Sequence, residues 1–363
     1  MIATLAGTIL APEGPLRGRL QYTAAIRRIE PDPAAPAWPL VVPGFVDLHV
    51  HGGGGQDVMA GEEAIRGLLR FHLRHGTTAL VAATVTAPRE DLRAAGAALG
   101  RVAARPGPGE AKLLGLHLEG PFISPEALGA QPPHTLPPEP TLLEELAGLV
   151  PLRVLTFAPE IDPEGRLVEA ALRLGCRAQI GHTRCTFAQA KAALERGASG
   201  FTHLFNAMSG LHHREPGAAA AALALGRYAE IIPDLIHVHP ALLRAAYRCL
   251  PELYGVTDAT AAAGMPTGRY RLGGRWVWRR GDRAVLEDGR LAGSVLTMDE
   301  AFRRLVGCGW SWHEAADMLA GRPARYLGLA DRGAILPERR ADLLLFDSRL
   351  RLKTVIREGR EVV

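Results

Sequence analysis

Six side chains of metal-binding type stand at or just past the ends of apolar, strand-like stretches spread over most of the chain. His49 and His51 close LVVPGFVDLHVH, Glu119 closes KLLGLHLE, His182 follows RAQIG, His203 closes GFTH and Asp258 closes LYGVTD. Few architectures bring residues as distant as His49 and Asp258 together from strand ends. A parallel barrel does so by construction, because its functional groups gather at the C-terminal ends of its strands. The spacing therefore predicts a fold before it predicts a reaction.

At 363 residues and 47% hydrophobic, the chain is large enough to bury the core of such a barrel. Strand-like segments fall near 43–50, 78–84, 113–119, 153–157, 177–181, 200–204, 230–238 and 253–257. Helix-like stretches lie between them: EEAIRGLLRFHLRHG, PREDLRAAGAALGRVAA, PTLLEELAGLV, PEGRLVEAALRLG, TFAQAKAALERG and PALLRAAYRCL. This alternation is the pattern of a parallel α/β fold and predicts a (β/α)8 TIM barrel over residues 43–330. Residues 1–42 and 331–363 have another texture, short strands such as ATLAGTIL and ADLLLFD set off by Pro and Gly turns. These two ends are expected to pair into one small discontinuous β-sandwich domain. QPPHTLPPEP reads as an ordered loop over the barrel mouth. WVWRR reads as a β-like insertion after the eighth strand, in which Trp276 and Trp278 pack.

Other classes are disfavoured by composition. The formal net charge of +4 is small and its basic residues are scattered, so nucleic acid is not an expected partner. Four cysteines form no CxxC pair, which suits reduced thiols in a cytosolic enzyme. MIATLAGTILAPEG lacks the charged start and long apolar core of a signal peptide. No apolar run reaches the roughly 18 residues of a membrane span. A soluble, cytoplasmic protein is expected.

Strand alternation puts His49 and His51 on one face, and likewise His117 and Glu119. Two imidazoles projecting together can bind one ion. Followed by Glu119, His182 and His203 at successive strand ends, they predict a divalent-metal site. A Glu–His–His set leaves an open position for water, whose pKa the metal lowers. Asp258 can take a proton from that water and return it to a leaving amine. Outside a metal context the same aspartate would read as a helix cap. Blander roles fit the other histidines. His72 and His75 lie at a helix end, His239 and His313 at helix starts, and His117 is placed to orient a ligand.

PGFVDLHVHGGGG, GLHLEGPFI, GHT, THLFNAMSG with REPG, LIHV, VTDAT and LAGSVLTM occur in order from about residue 43 to 300. Together they closely resemble the N-acetylglucosamine-6-phosphate deacetylases of the amidohydrolase superfamily. The resemblance implies hydrolysis of N-acetyl-D-glucosamine 6-phosphate, a small amino-sugar phosphate, to D-glucosamine 6-phosphate and acetate. It makes Glu119, His182 and His203 the ligands of the principal metal, zinc or iron, and Asp258 the catalytic acid/base. His237 is implied to contact substrate and help stabilise the oxyanion. Asn206, Ala207, Ala130 and Gln131 are implied to line the substrate pocket, as are Asp234 and the segment Leu291-Ala292-Gly293. Arg214, whose planar fork suits an oxyanion, is implied to contact phosphate, with His212 and His213 beside it. Relatives that keep both HxH histidines can hold two metals, so His49 and His51 allow one or two ions per subunit. Relatives complete the pocket across a homodimer, so a homodimer is expected.

Two departures stand out. Gln131 replaces a histidine found in many relatives, with His134 three residues on, and Ala262 stands where proline is usual. Three other readings remain. One is a deacetylase for the galactosamine epimer. Another is a ring-opening or deaminating amidohydrolase; ring-openers with two metals usually carry a strand-end lysine, and none stands at such a place here. The third is an inactive barrel kept for binding, which the complete ligand set argues against.

Overall fold

The computed structural model describes residues 2–362. Its barrel strands are Phe45–Val50, Thr77–Thr84, Lys112–Glu119, Leu152–Phe157, Arg177–Ile180, Gly200–Phe201, Tyr228–Ile231 and Glu252–Gly255. The first six hydrogen-bond side by side in chain order, and the last two pair with each other, all parallel. Backbone bonds beyond the strand ends close the ring. Leu204 N–H donates to Glu230 O (2.8 Å) between the sixth and seventh strands, and Asp258 N–H to His49 O (3.0 Å) between the eighth and first. Thr77–Thr84 is buried at every residue, as a strand enclosed on both faces must be.

Each strand leads to a helix, and local chemistry sets where the helices begin. Thr186 caps Phe187–Glu195: its hydroxyl accepts from Gln189 N–H (3.3 Å) while the Gln189 side chain accepts from Thr186 N–H (2.9 Å). His239 caps Pro240–Cys249 through Ala241 N–H (3.2 Å), with proline in the first turn. The helix Ala218–Leu225, sequence AAAAALAL, has no expectation to match because it carries no amphipathic spacing. Alanine's propensity and the close burial of Ala218, Ala219, Ala221 and Ala222 form it instead.

The strand expected over 230–238 stops at Ile231. Pro233 has no N–H for a ladder, Leu235 adopts φ 60°, and the Asp234 carboxylate accepts from Ile236 and His237 N–H at 2.9 Å each. LIHV is thus a loop at the barrel mouth. After the eighth strand the chain forms an antiparallel insertion, Gly268–Leu272, Arg275–Arg280 and Arg283–Val285, before the helix Met298–Gly307.

The terminal segments share one seven-stranded sheet, in the order Arg360–Glu361, Leu352–Arg357, Leu343–Phe346, Leu40–Pro43, Ala3–Ala11, Gly14–Tyr22, Ile26–Pro31. Its last strand is brought round to residues 339–341 by Ile26 N–H to Arg339 O (2.8 Å) and Ala341 N–H to Ala24 O (3.0 Å). The sheet so wraps a core of its own, including Ile9, Leu20, Val41, Leu343 and Ile356. Their neighbours Leu10, Leu40, Val42, Leu344 and Val355 point the other way into the barrel core, the two-residue period of a strand dividing one sheet between two cores. Phe302 joins the two parts, with ring centroids 5.8 Å from Phe45 and 5.1 Å from Phe346. Truncating this fully buried ring, Phe302→Ala, is expected to cost about 3–5 kcal/mol. A clearly lowered thermal midpoint would be the sign, and an unchanged one would count against this junction.

Candidate active site

The ligand-type residues converge at the C-terminal mouth of the barrel. His49 lies in the first strand and His51 just beyond it, their Nε2 atoms 3.2 Å apart. Glu119 ends the third strand. His182, His203 and Asp258 follow the fifth, sixth and eighth strands with φ of 46°, 27° and 49°. This left-handed conformation is uncommon outside glycine, though His and Asp tolerate it better than most. Each of the three lies two or three residues past the end of its strand, and the turn there directs its side chain inward. Ala207 (φ 49°) does the same for the backbone of the FNAM segment. Such strain persists where the surroundings over-determine it, and it clusters at functional sites. Behind Asp258, Gly293 has φ 55°, and an added Cβ would come within 2.8 Å of Asp258 O. The Asp47 carboxylate accepts from Thr257 Oγ1 (2.6 Å) and His49 N–H (3.3 Å), tying the first strand to the eighth.

Two clusters stand at the mouth, Glu119–His182–His203 and His49–His51–Asp258, and a third group, His49–His117–Glu230, lies beneath them. In the first, Glu119 Oε1 is 3.2 Å from His182 Nε2 and 3.0 Å from His203 Nε2, and the two nitrogens are 3.1 Å apart. In the second, His51 Nε2 is 3.3 Å from Asp258 Oδ1 and 3.2 Å from Glu119 Oε2. Glu119 thus stands between both. His182 Nδ1 is bonded to Ala127 O (2.8 Å), His51 Nδ1 to Ala83 O (3.1 Å) and His49 Nδ1 to Glu230 Oε2 (2.9 Å). A ring nitrogen facing an oxygen acceptor must carry the proton, so in the neutral ring the other nitrogen is a bare lone pair. Three such nitrogens and two carboxylates therefore face one another with no donor among them. Such a set fits a divalent cation of the kind that accepts imidazole and carboxylate ligands.

The electrostatics say the same. Burial disfavours a charged His51, but Asp258 and Glu119 outweigh it and raise its pKa to about 9. Burial also opposes ionisation of Asp258, yet His49 and His51 hold its carboxyl below the ordinary range. His117 is neutral: burial drives its pKa down to about 4, and its ring is bonded to Leu48 O (3.1 Å) and Thr156 Oγ1 (2.7 Å).

A cavity of about 140 Å³ opens onto these groups. Ala130, Gln131, Asn206, Ala207, His237, Leu291 and Gly293 line it together with Glu119, His51, His182, His203 and Asp258. Asp234 lies behind His237, whose Nδ1 it holds at 2.6 Å. Ala292 is buried in the core of the insertion with Val85, Leu272 and Val277. Arg214 sits on an exposed loop outside the cavity, 2.9 Å from His213 Nε2, and His134 is exposed as well. Both ends of the Gln131 amide are engaged by the protein. Its nitrogen donates to Glu119 and its oxygen accepts Thr86 N–H (2.6 Å). Two lining residues, Gly129 and Leu272, escaped the sequence reading, as did Glu230 beneath the site. Only Glu230 left a signal, an acid inside the apolar run YAEII. A larger cleft of about 630 Å³, between the end sheet and the C-terminal helices, gathers no metal-ligating cluster among the described residues.

A parallel barrel with convergent imidazoles and carboxylates at its C-terminal mouth is the arrangement of a metal-dependent hydrolase. The family model described as "Amidohydrolase family" matches residues 40–362. The N-acetylgalactosamine-6-phosphate deacetylase of Escherichia coli O157:H7 is 38% identical, over 88% of this chain and 87% of that protein. The N-acetylglucosamine-6-phosphate deacetylase of Bacillus subtilis (strain 168) is 36% identical, over 91% and 87%. The crystal structure of the Thermotoga maritima N-acetylglucosamine-6-phosphate deacetylase superposes with a TM-score of 0.91 at 32% identity, covering 100% of this chain and 99% of that one. A mutant of the Mycobacterium smegmatis enzyme, in complex with N-acetyl-D-glucosamine-6-phosphate, gives 0.91 at 35% identity with the same coverage. The chain belongs to the amidohydrolase family.

A pH test follows for the metal-free protein. His51 has a folded-state pKa raised from 6.5 to about 9. Its contribution to stability is complete below the unfolded value and is lost as pH rises through the folded one. Chelator-treated protein is therefore expected to lose thermal stability between about pH 6.5 and 9. Metal-loaded protein should not, because metal binding needs neutral imidazoles. Parallel melting curves for the two forms across that range would count against the cluster as a cation site.

Proposed function

We propose that this chain hydrolyses N-acetyl-D-glucosamine 6-phosphate to D-glucosamine 6-phosphate and acetate. The observation that carries the reading is one cavity in which Asp258 and His237 both face the Glu119–His182–His203 cluster. When bound there, a divalent ion supplies Lewis acidity, polarising a carbonyl and acidifying water. Asp258 Oδ1 lies beside His51 and is held as a carboxylate, ready to take the proton of the attacking water and hand it to the departing amine. His237 keeps its Nδ1–H on Asp234. Burial disfavours its charge, but Asp234 reverses that and raises its pKa. As an imidazolium it also has an Nε2–H, which can donate to the developing oxyanion. Leu272, Leu291 and Ala130 offer the sugar an apolar wall.

Phosphate recognition is assigned to Arg214. Its exposed loop, with Leu211 57% exposed beside it, lies outside its own subunit's cavity, which favours a homodimer in which one subunit's loop reaches its partner's site. The same reading takes zinc or iron as the ion, one or two per subunit, and a cytoplasmic location. Among the described residues no helix is long and apolar enough to cross a membrane. A boundary near residue 43 and another near 330 would leave every proposed site residue in the barrel segment.

The galactosamine epimer is the second reading, favoured by the 38% identity to the Escherichia coli enzyme. Acetate release from N-acetylglucosamine 6-phosphate, its unphosphorylated form and the galactosamine epimer tests all of this. A kcat/KM highest for the first supports the proposal, whereas a preference for the epimer replaces it. Asp258→Asn is expected to lower kcat by about 10²–10⁴-fold with the Glu119–His182–His203 ion retained, and near-normal turnover would remove Asp258 from its role. Arg214→Ala is expected to raise KM by roughly 10- to 100-fold, the worth of a charge-assisted bond, with kcat little changed. An unaltered KM would free the phosphate from Arg214.

A further inference from the structure

The amidohydrolase reading uses His49 without accounting for what lies under it. Glu230 belongs to the seventh strand, separated from His49 in the first by the eighth strand alone, and neither is accessible to solvent. Its flanking residues Ala229 and Ile231 are packed in the barrel core. An ionised carboxylate is among the most costly groups to bury there without partners. Glu230 Oε2 has two: His49 Nδ1 at 2.9 Å and His203 N–H at 3.4 Å. Its Oε1 lies 3.4 Å from Tyr254 OH. From Tyr254 a series of buried contacts crosses the barrel to Gln179 (2.7 Å) and continues through Thr202 (2.9 Å), Thr156 (2.7 Å) and His117 (2.7 Å). One polar layer, drawn from successive strands, thus underlies the site.

We propose that Glu230 is the positioning residue that makes His49 a metal ligand. It holds the Nδ1 proton and so presents the Nε2 lone pair to the centre shared with His51 and Asp258. The opposite tautomer is disfavoured at Nδ1 and incompatible with an ion at Nε2. Its Nδ1 lone pair would face a carboxylate oxygen at 2.9 Å, and its Nε2–H would fill the space between His49, His51 and Asp258. A ligating histidine commonly donates its second N–H to a carboxylate, which fixes the ring and increases its basicity, and loss of that partner typically costs 10- to 100-fold in metal affinity or activity. Glu230 also adds negative charge beside a second cation without occupying a coordination position. Glu230 meets the Glu119–His182–His203 cluster only through the long His203 N–H contact (3.4 Å) and no side-chain ring of it, so the main effect is expected on the His49–His51–Asp258 cluster.

The inference rests on the metal-hydrolase reading and is separable from it. Chelator-stripped protein would be titrated with Zn²⁺ and with Co²⁺ by calorimetry, the cobalt visible spectrum being followed in parallel. Unmodified protein is expected to take up two equivalents. Glu230→Gln is expected to bind one of them as before and the other about 10- to 100-fold more weakly. Two equivalents with unchanged affinities in Glu230→Gln overturn the proposal, as does a single equivalent in the unmodified protein. Should the variant fail to fold, ¹⁵N-histidine spectra of the unmodified zinc-loaded protein decide. The His49 signal, assigned by its loss in His49→Gln, must report a protonated Nδ1 and a metal-bound Nε2. The reverse pattern overturns the proposal. Acetate release by unmodified protein tests the catalytic reading independently of either result.

Discussion

A buried carboxylate with imidazoles on either side organises the mouth of this barrel. Glu119 puts one oxygen within 3.2 Å of His182 and His203 and the other within 3.2 Å of His51. None of these groups would tolerate the others unless positive charge sat among them, because lone pairs and carboxylates brought together in a low-dielectric interior repel strongly. The rest of the structure answers that constraint. Carbonyl oxygens fix the outer nitrogens of His51 and His182, and left-handed residues turn His182, His203 and Asp258 off their strands. The closed sheet supplies the rigid frame that keeps such a concentration of acceptors from relaxing apart.

Gln131 adds a further restraint on the same carboxylate. A histidine at this position could present its ring to a substrate. Here the amide is spanned between Thr86 N–H and Glu119, and both of its ends are used. Arg275 and Arg290, from the insertion and the turn after it, bond the carbonyls of Gly129, Ala130 and Gln131. The pocket wall nearest Glu119 is therefore pinned from behind by arginines more than a hundred residues away in the chain.

Much of this was legible in the sequence, for a definite reason. His49, His51, Glu119, His182, His203 and Asp258 announce themselves because ligand chemistry sits at the edge of apolar runs, and a parallel barrel maps such edges onto one place. The strands 78–84, 113–119 and 153–157 were placed within a residue because their apolar runs are long and sharply bounded. What stayed hidden has no local signature. Ala218–Leu225 lacks the periodicity that marks a helix, and the apolar residues of LIHV imitate a strand that Pro233 forbids. Leu272 reaches the cavity only through the folding back of an arginine-rich insertion. The partners of Glu230, and the direction in which Gln131 turns its amide, depend on which strands become neighbours.

The terminal sheet sets a schedule for the newborn chain. Leu40–Pro43 pairs on one side with Ala3–Ala11 and on the other with Leu343–Phe346. During synthesis the first partner is present early, while the second emerges only after the whole barrel has left the ribosome. Until then Leu40–Pro43, which runs straight into the strand carrying His49, is an unpaired edge of the kind that invites intermolecular pairing. Closing a loop of roughly 300 residues adds entropy cost only logarithmically, but it places the step last. The strand that delivers the first metal-binding histidines is thus anchored at its root by residues made roughly 300 positions later.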